Sequence, residues 1–252
     1  MRLHHLLFIF AVLGLSTVLA KEVWRGKPYM EWTLKEATAL LTDSPWALSL
    51  PVGGGNANLT QSNSQQREGS GTCTETDIGT QQDNADEAIA KTAASAAALS
   101  NRPRLYLVRF VSATPVRMAI GRWAVLSGKL TAEQAQTMLN QDPYDGQVVV
   151  SVSASNDRDW DELNRFSTQT LKEDNYLLLK KSKRKIHAER YVRPIESGLG
   201  EALFYFSRTD GGTTLITPAQ KEVSFNCRLS KRTKIRGRFK LEDMIVDGQL
   251  LI

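Results

Sequence analysis

Residues 228 to 240 hold seven lysines and arginines, and no acidic residue occurs between Glu222 and Glu242. Clustered cations bind anions, and three classes of ligand are conceivable here: a nucleic acid, the headgroups of a membrane surface, and an anionic polymer. The alternative is that the cations form only the solvated side of a β-sheet, where they keep the edge from pairing with other chains.

The spacing of these cations predicts a β-strand. Over residues 234–241 cations alternate with apolar or small residues, so at the two-residue period of a strand the cations share one face. Residues 223–229 alternate in the same way, and together the two segments predict a hairpin that is apolar inward and cationic outward. We predict an anion-binding surface made of Arg117, Lys234, Arg236, Arg238 and Lys240.

Arg117 belongs to a different segment from the other four cations. It follows 112–116, where small residues and the pair Thr114–Pro115 predict a strand end, a tight turn and a capped helix start. From there its guanidinium can reach a carboxylate or an anion bound at the helix N-terminus. A purely structural role is the simpler alternative, because caps and turns alone explain these residue types.

Histidine chemistry is not expected. His187 is the one histidine that remains if His4 and His5 leave with a signal peptide. It lies among cations that disfavour its own charged form. Catalytic triads and multi-histidine metal sites are therefore not predicted, and His187 is predicted to be a solvent-facing strand residue.

Three aspartates, Asp157, Asp159 and Asp161, have the spacing that opens a calcium-binding loop. However, Glu162 stands where such a loop needs glycine, and Thr168 where it needs glutamate. A helix N-terminus that collects acids against its dipole explains the aspartates instead. Glycine-rich nucleotide motifs are also lacking, so we predict no metal site and no cofactor.

Two further sets of residues leave alternatives open. A hydrolase could use paired carboxylates, but one sequence does not show which of them are close in space. The tryptophans could line a ligand pocket, although at their spacings they are more simply core anchors, with Trp46 and Trp123 the first candidates. The candidate carboxylates are Asp43, Glu196, Glu201 and Asp243.

The elements that must position these residues are predicted from periodicity and caps. Thr33 and Glu36 form a capping box for a helix that ends at 43–45, and Thr131 caps another helix. Residues 104–113 predict a central strand, apolar on both faces except for Arg109. A strand at 147–155 and a short helix at 157–171 follow. Strands then succeed one another at 175–181, 185–192, 201–208, 221–229, 234–241 and 248–252.

This order of elements predicts an α+β fold. A curved antiparallel sheet, mostly from the C-terminal half, carries a few helices on one face. The predicted parts are a signal peptide (1–20), an N-terminal helix and strand of the main domain (21–52), a disordered low-complexity insert (53–101), and the rest of the main α+β domain (102–252). The insert has almost no large apolar residues and cannot offset the entropy cost of ordering.

The N-terminus predicts export. An apolar run at 6–15 is too short to span a bilayer as a helix, and small residues Val18 and Ala20 precede a cleavage position after Ala20. We therefore expect a periplasmic or secreted protein with no transmembrane segment in the mature chain. Its two cysteines, Cys73 and Cys227, could pair in that compartment. Alternatively, Cys227 is buried and inert on the apolar face of its strand.

Three stretches carry a resemblance to a known family: WTLKEATALLTDSPWA, VRFVSATPVRMAIGR and FKLEDMIVDGQLLI. They resemble a family of uncharacterised exported bacterial proteins with the motifs W-T-x-x-E-A…S-P-W-A, S-A-x-P-V-R-x-A and F-x-L-x-D-M. The chain is more distantly similar to GWxTD-domain proteins, although that tetrapeptide is absent from it. The resemblance implies export and one continuous domain around the insert, and it implies no activity.

The basic strands favour an exported, non-catalytic protein that binds another macromolecule, as an interaction or envelope-associated domain. An envelope protein or an anionic polymer is the expected partner, and nucleic acid is not expected. One alternative is a carrier, which a large apolar cavity would support. The other is a carboxylate-based hydrolase, which two converging carboxylates with one raised pKa would support.

Overall fold

A computed structural model of the protein describes residues 22–52, 104–166, 168, 171–231 and 233–252. The described residues belong to one compact unit. The predicted signal peptide and the predicted insert 53–101, with Cys73, lie outside them. In the described part, no helix is long and apolar enough to cross a membrane.

The helices and strands follow the chain in a mixed order. The helices are α1 Val23–Gly26, α2 Leu34–Thr42, α3 Thr114–Leu126, α4 Ala132–Asn140, α5 Asp157–Asn164 and α6 Leu171–Asp174, with 3₁₀ turns at Tyr29–Glu31, Pro218–Gln220 and Glu242–Met244. The strands are β1 Ala47–Val52, β2 Arg104–Phe110, β3 Val148–Ala154, β4 Tyr176–Leu179, β5 Lys185–Val192, β6 Ala202–Phe206, β7 Thr209–Asp210, β8 Thr213–Thr214, β9 Glu222–Arg228, β10 Lys234–Lys240, β11 Ile245–Val246 and β12 Gln249–Leu250.

Eight of the strands form one antiparallel sheet in the order β1-β2-β3-β6-β5-β4-β9-β10. The sheet curves until it is nearly barrel-shaped, and the predicted α+β fold class is confirmed. Strands β11 and β12, and strands β7 and β8, form two separate small hairpins.

The inside of this barrel is filled by aromatic rings from opposite parts of the sheet. The ring of Phe110 on β2 lies 4.8 Å from that of Phe239 on β10, centre to centre. Phe225 on β9 contacts the rings of Phe204 and Phe206 on β6, at 5.5 Å and 6.3 Å. All five side chains are fully buried. Edge-to-face packing of this kind adds to the free energy that burial alone supplies.

The first and last strands meet along a seam that side chains close. Strand β1 pairs with β2, and β10 pairs with β9. At the seam, a Cβ atom added to Gly237 would lie 3.3 Å from Leu50 and 3.4 Å from Leu48. Glycine at position 237 therefore lets two leucines of β1 pack directly against the backbone of β10.

Strand β1 connects to β2 across the segment 53–103. In the register of the two antiparallel strands, Val52 is the partner of Arg104. The two ends of that segment are thus adjacent cross-strand positions of one sheet.

The helices on the outside of the sheet begin with the predicted caps. Thr33 forms a capping box with Glu36, and Thr131 forms one with Gln134. Helix α3 differs, since Ala113 is its N-cap and its carbonyl accepts the hydrogen bond from Arg117 N at 3.0 Å. The prediction that Thr114 is the cap is therefore wrong by one residue. Thr114 is the first helical residue.

Trp46 is completely buried, as predicted, but Trp123 is only half-buried. The ammonium group of Lys129 lies over the Trp123 ring, 4.4 Å from its centre. Trp32 takes the core position instead: it is 1% exposed, and its indole N–H donates to the carbonyl of Lys27 at 2.9 Å. A buried indole needs such an acceptor, and the turn at 27–32 provides it.

Candidate anion-binding site

Strand β10 presents its cations outward, as the sequence predicted. Lys234, Arg236, Arg238 and Lys240 are exposed, and the residues between them are buried. We call these four side chains the basic row. Ile235 and Phe239 point the opposite way and are each 1% exposed, so they anchor β10 in the barrel core.

The basic row is straight and evenly spaced because it lies on one extended strand. Alternate residues of a strand are about 6.8 Å apart, so four of them extend over about 20 Å. Across the sheet the row borders β9, whose four side chains on the same face are two charged and two uncharged polar groups. In register, the partners of the row are Arg228, Asn226, Ser224 and Glu222.

Some cations of the neighbouring strands and turns are paired with acids, whereas no cation of the basic row is. Ion pairs join Arg228 to Asp174 at 3.5 Å and Lys180 to Glu222 at 3.3 Å. Arg184 likewise pairs with Asp210. No residue of the basic row makes an ion pair or a side-chain hydrogen bond with any other described residue. The row is therefore a stripe of uncompensated positive charge.

Large exposed apolar side chains lie on other elements. They include Leu34 on α2, Leu105 on β2, Leu126 on α3 and Ile195 in the loop after β5. A surface that inserts into a lipid headgroup layer combines cations with apolar or aromatic side chains on its opposite flank. The basic row instead has the composition of a surface that binds charge without burying apolar area.

Arg117 does not belong to the basic row. Its guanidinium donates to the carbonyl oxygens of Met138 and Leu139, at 2.9 Å and 3.0 Å, and to that of Gln141. These carbonyls lie at the C-terminal end of α4, where backbone acceptors have no intrahelical partner. The predicted surface of five cations therefore divides into a row of four and one arginine that caps a helix. The acceptors of Arg117 are backbone carbonyls and not a carboxylate.

Arg117 also lines an open polar pocket of about 280 Å³. Arg208 lies across it, and its guanidinium donates to the carbonyls of Gly146 at 3.0 Å and Ile252 at 2.7 Å. Burial lowers the pKa of Arg208. Asp142 accepts hydrogen bonds from the backbone N–H groups of Tyr144 and Gly146, at 3.0 Å and 2.7 Å. These contacts tie together the turn after α4 and the C-terminal segment.

Asp142 makes stability depend on pH. Its two backbone hydrogen bonds, and more weakly Arg117 and Arg208, lower the pKa of its carboxyl group. A carboxyl whose pKa is lowered by folding stabilises the protein above its unfolded-state pKa, and this contribution disappears as pH falls through the folded-state pKa.

We expect Asp142→Ala to lower the free energy of unfolding by about 1 kcal/mol at neutral pH, the usual size of a hydrogen-bond loss. The difference from the unmodified protein should shrink as the pH falls through the folded-state pKa of Asp142. Urea unfolding at a series of pH values measures both effects. Asp243→Ala, at an exposed position, is the control and should change stability by less than about 0.5 kcal/mol.

A buried ion pair joins β2 to the residue before β6. The one sign of it in the sequence is the single charge of an otherwise apolar strand. Arg109 on β2 pairs with Glu201, which precedes β6, and each side chain is about nine-tenths buried. Arg109 also donates to the carbonyl of Leu41 at the end of α2, at 3.4 Å. Burial lowers the pKa of Arg109 to about 10, so the guanidinium stays protonated at neutral pH.

The other candidate residues lie apart from the basic row. Asn156 caps α5 and accepts from Asp159 N at 3.0 Å, so the aspartates mark a helix start as predicted. Among the described residues, no three His, Cys, Asp or Glu side chains are grouped to hold a metal ion. His187 is exposed on β5, as predicted. Cys227 is buried on the inner face of β9, and that burial raises the pKa of its thiol.

The candidate carboxylates occupy separate places. Asp43 ends α2, and Asp243 is exposed in the 3₁₀ turn after β10. Glu196 pairs with Arg193 in the exposed loop after β5, and Glu201 pairs with buried Arg109. The pKa of Glu196 is lowered by its hydrogen bond from Arg193, opposite to the direction that a general acid needs.

Comparison with known proteins gives no match: the chain matches no protein-family model, no curated protein and no solved structure.

Proposed function

We propose that the protein is an exported, non-catalytic binding module that holds an anionic polymer on the basic row. The observation that carries the proposal is the stripe of four exposed cations on β10 without acid partners among the described residues. A polyanion releases bound counterions when such a stripe neutralises its charges, and this release drives binding in a salt-dependent manner. The strand holds the four Cα positions in line, so only the side chains must be ordered on binding.

The edge-protection alternative accounts for cations on an edge strand but not for their lack of compensation. Edge strands are protected by charged side chains, lysine in particular. Arg228 on β9, and Lys180 and Arg184 in the turn after β4, have acid partners, whereas the four cations in line on β10 have none among the described residues. That contrast favours a ligand that supplies the missing negative charge.

The carrier and hydrolase alternatives have less support. An apolar ligand inside the barrel would have to displace the rings of Phe204, Phe206 and Phe225, which contact one another there. A hydrolase would need two carboxylates near one another, and Glu201 is instead held by Arg109. Neither alternative has an observation of its own in its favour.

We expect the double variant Arg236→Glu/Arg238→Glu to weaken binding to heparin, a model polyanion, by about 30-fold. Two lost contacts at about 1 kcal/mol each give this factor. The measurement is the dissociation constant as a function of salt concentration, and the salt dependence should become shallower for the variant.

A charge-matched control separates the basic row from net charge. Lys35→Glu/Lys129→Glu makes the same change in net charge at exposed positions on α2 and after α3. It should change binding by less than about threefold, since neither lysine belongs to the basic row and exposed charges are screened by salt. Equal losses in both variants, or unchanged binding in the β10 variant, would reject the proposed function.

A further inference from the structure

We infer that the ligand is a linear phosphodiester polymer with a polyol backbone, such as poly(glycerol phosphate), and that it lies along β10. This inference rests on the proposed function and specifies the ligand of the same basic row. The four cations of the row form a single line along one strand. A linear polymer therefore matches this arrangement of charge better than a membrane surface does.

The repeat of the basic row matches the repeat of a phosphodiester chain. The number of covalent bonds between alternate Cα atoms of a strand equals the number between neighbouring phosphorus atoms of a phosphodiester chain in which three carbons join the phosphates. Both chains are extended, so successive phosphates can meet successive cations about every 6.8 Å. In a polysaccharide whose sugar rings are linked directly, the spacing between charges differs from that of the row. Successive charges of such a chain therefore do not align with successive cations.

The way in which the ligand carries its charges favours a phosphodiester over an acidic peptide. The two central positions of the row are Arg236 and Arg238, and the two ends are Lys234 and Lys240. Guanidinium groups bind phosphate and carboxylate alike through two parallel hydrogen bonds, whereas lysine acts as a point charge. In a phosphodiester the anion is part of the chain itself. An acidic peptide would have to order a flexible side chain for each charge that it presents.

The surroundings of the row favour a polyol over a nucleic acid. Single-stranded nucleic acids are held by aromatic rings on which the bases stack. The cross-strand partners of the row on β9 are Arg228, Asn226, Ser224 and Glu222. Beyond Asn226 comes Tyr176 on β4, which is half-buried and has the ammonium of Lys185 over its ring at 4.5 Å. Bases would therefore meet polar side chains and a cation where they need a stacking surface.

The test is direct binding of the full chain to four labelled polymers at one fixed salt concentration. The polymers are poly(glycerol phosphate), a single-stranded oligodeoxynucleotide with as many phosphates, polygalacturonate and polyglutamate of equal charge. We expect poly(glycerol phosphate) to bind at least about tenfold more tightly than each of the others. Arg236→Lys/Arg238→Lys, which keeps the charge, should weaken that binding about tenfold while leaving the salt dependence of heparin binding unchanged.

Each remaining outcome decides against a stated part of the inference. Equal binding of all four polymers, with no effect of the lysine variant, overturns the phosphodiester assignment and leaves the proposed function intact. Tighter binding of the oligodeoxynucleotide, of polygalacturonate or of polyglutamate replaces the ligand class by that polymer. Failure to bind any of the four polymers or heparin rejects the inference together with the proposed function.

Discussion

Glu201→Gln is expected to lower the free energy of unfolding by about 3–5 kcal/mol, the usual cost of breaking a buried ion pair. Glutamine keeps the shape of the side chain but leaves the guanidinium of Arg109 charged and nine-tenths buried. The pKa of Arg109 is about 10 in the folded protein, so the group does not shed its proton at neutral pH to escape this cost. Urea unfolding followed by tryptophan fluorescence measures the loss.

Two controls test whether the buried charge is the cause. Glu196→Gln breaks an exposed ion pair with Arg193 and should leave the midpoint of urea unfolding nearly unchanged. The double variant Arg109→Met/Glu201→Leu removes both charges and should recover most of the stability that Glu201→Gln loses. If the double variant is no more stable than Glu201→Gln, the loss comes from packing or from the hydrogen bond to Leu41 and not from an uncompensated charge.

The second large effect is expected from Phe225→Ala, which should lower the free energy of unfolding by about 3–5 kcal/mol. Phe225 is fully buried and contacts the rings of two phenylalanines on β6, so truncation leaves a cavity in the middle of the barrel. The midpoint of urea unfolding, with its slope unchanged, measures the loss.

Leu126→Ala on the exposed end of α3 is the matched control and should change stability by less than about 0.5 kcal/mol. A cost below about 1 kcal/mol for Phe225→Ala would contradict the packed barrel interior. It would also reopen the carrier alternative, because a site that tolerates a missing ring has room for an apolar ligand.

Much of the local structure could be predicted because its signals lie close together in the sequence. The capping boxes at Thr33 and Thr131 need only residues three positions apart. The alternation in β5 and β10 is a property of each strand by itself, and it placed His187 and the basic row outside correctly. The α+β class followed from the order of these elements.

The order of strands in the sheet and the partner of Arg109 could not be predicted in this way. Strand β6 inserts between β3 and β5, and the pair of Arg109 with Glu201 depends on that insertion. Such contacts join residues that are distant in the sequence, and the hydrophobic periodicity within one element does not predict them. The choice of Trp123 for the core failed for a related reason: its exposure is set by the packing of α3 and the position of Lys129.

The candidate site shows the same division. The four cations of β10 share one strand, so their common face was predictable from spacing. Arg117 was grouped with them on charge alone, and its position depends on how α3 packs against α4. Its three acceptors are backbone carbonyls. Every residue type has such a carbonyl, so the sequence does not indicate which ones Arg117 contacts.

The pairing of Val52 with Arg104 has a consequence for how this chain can vary. A segment that leaves a sheet and returns at the adjacent position encloses a loop, and the entropy cost of closing a loop grows only by about 0.6 kcal/mol for each doubling of its length. The barrel is therefore nearly indifferent to how many residues the segment contains. The junction between β1 and β2 is therefore a position where insertions, deletions or the insertion of another domain are tolerated. The eight strands and the basic row keep their register in each case.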